Sequence, residues 1–229
     1  MGKRLGAIPL TVLAGMTAVL FAASISLITF YAPTDADQGL SQRIFYFHVP
    51  IALTAYAAFG WGAWKALLRL RKGSDDADLE SYVAIHQGVI FGSLTLLTGS
   101  IWAKISWGVW WTWSERQLVL FLVLFLFYSA YFMLRFSVEP GPQRENLCAV
   151  YALFGVVLIP ISFLAIRLAE NFIHPNVFMR HGPQMATSHF ATCCVALAGM
   201  LLLAGALYRV ELLGKSLDAR LRELRELLA

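Results

Sequence analysis

Charge is scarce in this sequence. Only 14% of its 229 residues are Asp, Glu, Lys or Arg, while 59% are apolar and the mean hydropathy is +0.65. That balance excludes an ordinary soluble domain, in which about 25% of residues are charged. The net charge is +4 and the isoelectric point about 9.1, yet no basic run is long enough to track a phosphate backbone, which excludes nucleic acid as a partner. Cysteine is nearly missing. Cys148, Cys193 and Cys194 cannot build a disulfide framework, and neighbouring cysteines bridge each other only with strain; all three read as small apolar filler. No Cys-x-x-Cys-His occurs, so there is no attachment site for covalently held haem. Ionisable residues are absent from the middle of every long apolar run, which argues against a solute transporter. There is no internal repeat.

What remains is hydrocarbon-length helix. A bilayer core about 30 Å thick takes roughly 20 residues at 1.5 Å each, because unpaired backbone groups in lipid cost several kcal/mol. Six segments meet that length, at about 9–31, 45–68, 82–103, 117–136, 147–168 and 188–209. The first, preceded by Lys3 and Arg4, exceeds the core of a signal peptide and reads as a retained span. Lys and Arg divide 13 to 5 between the two sides, so the positive-inside rule puts both termini in the cytoplasm. The expected fold is an all-α integral membrane domain of six spans over residues 1–210. A cytoplasmic tail, 211–229, follows, with Leu217, Leu221, Leu224 and Leu228 on one face of an amphipathic helix. Its alternatives are lying on the anionic inner leaflet or docking to a partner subunit. Gly88-x-x-x-Gly92 marks a close helix approach.

The outward side holds the unusual residues. In the loop 104–116 and the turn before it, Trp102, Trp107, Trp110, Trp111 and Trp113 place five of the seven tryptophans within twelve positions. An interfacial belt would scatter them over all the span ends; gathered here beside Gly108, their indole faces make a platform for a large planar ligand of porphyrin size. His48, at the start of the second span, and His174, beyond the fifth, lie at the same depth, and paired imidazoles ligate haem iron. Spacing alone leaves His181 and His189 open as well, His189 being the better placed. His86 falls near the other end and reads as a packing or hydrogen-bonding residue. Haem propionates want cations, and the five outward ones are Arg43, Lys104, Arg116, Arg167 and Arg180. Arg43 and Arg116 are nearest the histidine and the tryptophans, with lipid-phosphate contact as their alternative role.

At these residues the chain resembles the CcmC family, haem-handling membrane subunits of system I cytochrome c maturation. The matching elements are Ala32-Pro33 with Gln38-Gly39, Arg43-Ile-Phe-Tyr-Phe-His48-Val-Pro50, Thr98-Gly99-Ser100-x-Trp102, Trp107-Gly-x-Trp110-Trp111-x-Trp113, and Pro160 with His174. The tryptophan string belongs to a wider superfamily of haem-handling proteins. The resemblance implies that His48 and His174 hold the iron of transiently bound haem b at the periplasmic face of the bacterial inner membrane. It also implies delivery to the haem chaperone CcmE, in the company of the small protein CcmD and the ABC subunits CcmA and CcmB. The chain would then be a transfer factor rather than an enzyme, with no catalytic residue of its own. One departure stands out: the family's Asp after the last tryptophan is Ser114 here, followed by Glu115, and the usual Thr after Arg116 is replaced, Leu118 standing in that region. A different class, a b-type electron-transfer subunit, also uses histidine pairs but buries them within spans.

Overall fold

A computed structural model of the chain describes residues 8–34, 38–168, 178–179, 182–183 and 186–228. Six helical stretches in it are long and apolar enough to cross a membrane, which makes the chain a multi-pass membrane protein. Helix α1 (Leu10–Ser26) loosens at its end into a π-helical turn, Leu27–Tyr31. A 3₁₀ turn, Leu40–Ile44, leads into α2 (Phe45–Lys72). Then come α3 (Asp75–Trp107), α4 (Arg116–Ser137), α5 (Pro142–Val156), α6 (Leu158–Leu168) and α7 (Thr187–Leu228). An antiparallel pairing joins Phe178–Met179 to Gly182–Pro183. Helix α2 sits at the centre, packed on α3, α5 and α7, and α1 lies along α7.

The helices outrun the expected spans because hydropathy marks what the lipid must cover, whereas backbone chemistry marks where a helix stops. Helix α2 carries Arg69, Arg71 and Lys72 in its last turn and ends at Gly73, whose φ of 63° lies in the left-handed region that favours glycine. Helix α3 begins seven residues before the expected span, where the Ser74 hydroxyl accepts from the Ala77 N–H at 3.4 Å, and ends at Gly108, φ 77°. The loop expected over 104–116 therefore shrinks to 108–115. The fifth span is two helices, because Pro160 cannot donate to the Val156 carbonyl and the helix breaks at Val157. The tail is helical but is not a separate element: α7 runs unbroken through residue 210, and its 42 residues reach about 63 Å, roughly twice the hydrocarbon core.

Helices α2 and α3 pack in one antiparallel register. Phe45 meets Trp102, His48 meets Gly99, Phe59 meets Gly88 and Ile85 meets Gly62. Steps of 3, 11 and 3 residues along α2 match equal steps back along α3, which keeps every pair on one face of each helix. Three of the four levels set a glycine against a bulky side chain. A Cβ at Gly88 would lie 2.5 Å from the Phe59 ring, which is itself stacked on Tyr128 at 4.1 Å and cannot retreat. Gly92, the second glycine of the Gly-x-x-x-Gly pair, faces Phe125 of α4 instead, so the motif lets two different helices approach α3.

The end of the bundle away from the tryptophans is closed by ions. Arg135 Nη1 and Nη2 donate to Asp78 Oδ1 and Oδ2 at 2.9 and 2.6 Å, both side chains buried, and Nη1 also donates to the Tyr131 hydroxyl. The same guanidinium lies 4.4 Å over the Tyr82 ring. Glu211 of α7 accepts from Gln87 Nε2 and pairs with His86 Nδ1, each at 2.8 Å, so His86 has the hydrogen-bonding role expected of it. Lys65–Glu80 and Arg69–Glu145 add links from α2 to α3 and α5.

Four variants check this packing by thermal unfolding of detergent-purified protein. Gly88→Ala should destabilise by about 1–3 kcal/mol, whereas Gly60→Ala, with nothing within 4 Å of the new Cβ, should change little. Arg135→Met should cost about 3–5 kcal/mol by stranding Asp78, and the double change Asp78→Leu/Arg135→Met should recover most of it.

Candidate functional site

Three chain segments converge at the tryptophan end: the approach to α2, the exit of α3 and the entry of α7. The 3₁₀ turn before α2 starts at Gly39, whose φ of 58° requires glycine. From there Phe45, Tyr46 and His48 are all buried, Phe45 and His48 on one face of the first turns of α2 and Tyr46 on another. Phe45 and His48, three residues apart, both meet Trp102 edge-on, with ring centroids at 6.2 and 5.7 Å. His48 Nδ1 is 2.9 Å from the Thr98 hydroxyl, and its Cε1 would lie 2.9 Å from a Cβ at position 99. The imidazole thus lies directly on the α3 backbone, a place that only glycine at 99 leaves open.

Trp102 is 5% exposed and donates its indole N–H to Gln38 Oε1 at 3.1 Å. It is a buried support of His48 and not a surface ring, and it gives Gln38 a defined place beside the site. The loop tryptophans differ from it. Trp110 and Trp113 are 60% and 72% exposed, Trp107 is the last residue of α3, and Trp111 meets Trp113 edge-on at 5.7 Å with its buried N–H lacking a hydrogen-bond partner. These four offer apolar area; Trp102 gives rigidity.

The remaining candidates separate by position. Arg116 is exposed and is the first residue of α4, where a cation opposes the helix dipole and an anion would be welcome. Glu115 precedes the same helix at the N-cap position, without a side-chain capping bond, and is 3% exposed, while Ser114 is exposed and pairs with the Thr112 hydroxyl. The buried acid is thus at 115. Arg43 is half-buried, with Nη2 3.5 Å from the Thr29 carbonyl of the π-helical turn. Lys104 donates to the Gly108 carbonyl at 2.8 Å and so serves the end of α3. His189 is buried at the start of α7, its Nδ1 hydrogen-bonded to the Tyr46 hydroxyl and its ring stacked on Tyr46. His174, Arg180 and His181 lie outside the described residues. Among the described residues, no three His, Cys, Asp or Glu side chains converge into a closed metal cage.

Two residues that matter here had no role assigned from the sequence: Thr98, which holds His48, and Tyr46, which holds His189. Both fall inside the matched motifs. The only signal was a hydroxyl beside a glycine at 98–99 and a tyrosine two residues before the histidine.

A six-span helical bundle with a buried histidine, a tryptophan turn and an arginine at a helix start, all at one end, defines a polytopic membrane protein. The comparisons narrow this. The model of the family described as heme exporter protein C matches residues 3–226. The heme exporter protein C of Paracoccus denitrificans is 32% identical over 202 residues, covering 87% of this chain and 82% of that protein. That of Haemophilus influenzae is 29% identical over 204 residues, with 86% and 82% covered. That of Escherichia coli K12 is 34% identical over 137 residues, with 60% and 56% covered. The chain belongs to the heme exporter protein C family.

Stability separates the two kinds of tryptophan. Trp102→Ala should lower unfolding stability by about 3–5 kcal/mol, as for other buried large aromatics. Trp113→Ala should stay within about 0.5 kcal/mol of the parent. Thermal melts of the two variants in one detergent make the comparison.

Proposed function

We propose that this protein binds haem b transiently at the tryptophan end of the bundle, on the periplasmic side of a bacterial inner membrane. It then delivers the haem to the chaperone CcmE for cytochrome c maturation. The observation that carries this reading is the seat of His48: an imidazole buried at a span end, held through Nδ1, at the same end as a turn on which Trp110 and Trp113 are largely exposed. Family membership supports the haem-handling part. The CcmC resemblance supports an assembly with CcmD and the ABC subunits CcmA and CcmB, and action as a delivery factor rather than an enzyme.

The residues present fit the group. His48 is a neutral nitrogen donor in a partly apolar setting, and His174 supplies the second donor. Trp107, Trp110, Trp111 and Trp113 present flat apolar faces. Arg116 and Arg43 offer guanidinium donors to carboxylates. Haem, when bound, supplies a vinyl group for bond formation at the chaperone; this chain orients the macrocycle and keeps water from one of its faces. The buried Glu115 takes the place of the family's acid one residue earlier. The surplus of Lys and Arg at the opposite end, together with its ion pairs, supports placing that end in the cytoplasm.

Absorption spectra of purified protein test the ligands. His48→Ala and His174→Ala should each lose most of the haem or shift its Soret band; parent-like content and spectrum in both would refute the assignment. Changing the four loop tryptophans to Ala should abolish formation of the vinyl adduct with the chaperone.

A further inference from the structure

The hydroxyl that holds His48 has only one proton, and where that proton goes decides which face the imidazole presents. Thr98 Oγ1 lies 2.7 Å from the Leu94 carbonyl, four residues back in α3, and 2.9 Å from His48 Nδ1. Three other threonines in the spans, Thr17, Thr95 and Thr192, donate to the same i−4 carbonyl at 2.8 Å. This is the ordinary use of a threonine hydroxyl inside a helix, where the side chain bonds back to the preceding turn. With its proton spent on Leu94, the Thr98 oxygen faces Nδ1 only as an acceptor. The imidazole must then carry its proton on Nδ1, which leaves the lone pair on Nε2.

The ring is also kept from rotating. Gly99 lets it rest on the α3 backbone, where any Cβ would meet Cε1 at 2.9 Å, and Trp102 packs against it at 60°. A half-turn about the Cβ–Cγ bond would put a carbon opposite the Thr98 oxygen and lose the hydrogen bond. The stretch Thr98-Gly99-x-x-Trp102 of α3 thus acts on both tautomer and orientation.

We propose that Thr98 is a positioning residue for iron ligation: it fixes the neutral Nδ1–H tautomer of His48 and so turns the Nε2 lone pair toward the haem iron. This rests on the reading of His48 as a ligand and adds the group that prepares it. Partners of this kind orient a ligating imidazole and raise its donor strength, and their loss typically costs about 10–100-fold in metal affinity.

The test has two arms. In haem-free, detergent-solubilised protein labelled with ¹⁵N-histidine, the His48 signals are identified by their loss in His48→Ala. The wild-type ring should be neutral with its proton on Nδ1, Thr98→Ser should keep that state, and Thr98→Val, nearly equal in volume, should lose it. A proton on Nε2 in the wild type, or an unchanged tautomer in Thr98→Val, overturns the proposal whether or not haem binds. In the second arm, haem is titrated into the same proteins. Thr98→Val should bind at least ten-fold more weakly with an altered low-spin EPR signal, and Thr98→Ser should resemble the parent. If His48→Ala leaves haem binding and spectrum unchanged, the ligand reading itself fails and the proposal falls with it. If His48→Ala changes them and Thr98→Val does not, the ligand reading stands and the role of Thr98 is refuted.

Discussion

The closeness of α2 to α3 is the constraint on which the rest depends. In lipid no hydrophobic effect drives one apolar helix against another, so association relies on contact and on satisfied polar groups. This pair gains contact by setting Gly62, Gly88 and Gly99 opposite Ile85, Phe59 and His48. Phe59 then has a fixed plane on which Tyr128 of α4 stacks, and the Tyr128 hydroxyl reaches the Ala152 carbonyl of α5. Four helices are located by one close approach. The outermost glycine level of the same register, Gly99, is the seat of His48, so the fold and the site share a single alignment.

The two ends of the bundle solve opposite problems. Away from the tryptophans, carboxylates and guanidiniums leave lipid in pairs, and Arg135–Asp78 is fully matched by two hydrogen bonds. That end is held together by paired charges. At the other end, the side chains brought together are histidine, tryptophan, tyrosine and glutamine, and the nearest cation on a helix start, Arg116, is exposed. On the proposed reading this end takes up and releases a bulky anionic ring, which calls for neutral donors and apolar faces and not for a closed ion network that would have to be broken each time.

Much of this was legible in the sequence. Span centres follow from hydropathy, and His48, the loop tryptophans and Arg116 stood out as residue types misplaced for a lipid-facing helix. The ends of the helices were not legible, since Arg71, Lys72 and Lys104 continue a helix as readily as they end a span. Nor was the difference between Trp102 and Trp113. Only the helical phase separates them: Trp102 lies three residues from Gly99 and shares its face toward α2, which becomes visible once the register is known. Thr98 and Tyr46 escaped for a related reason. Their partners are 50 and 143 positions away in the chain, and no local pattern announces a hydroxyl waiting for an imidazole.

The unbroken course of α7 has a mechanical meaning. His189 near its beginning is tied to Tyr46, two residues from His48, while Glu211 farther along grips His86 and Gln87, and the last turns extend past the bundle with leucines uncovered. No proline interrupts the 42 residues. Such a helix works as a shaft: a twist applied to its protruding turns is felt at both bearings, and the upper bearing adjoins the imidazole seat.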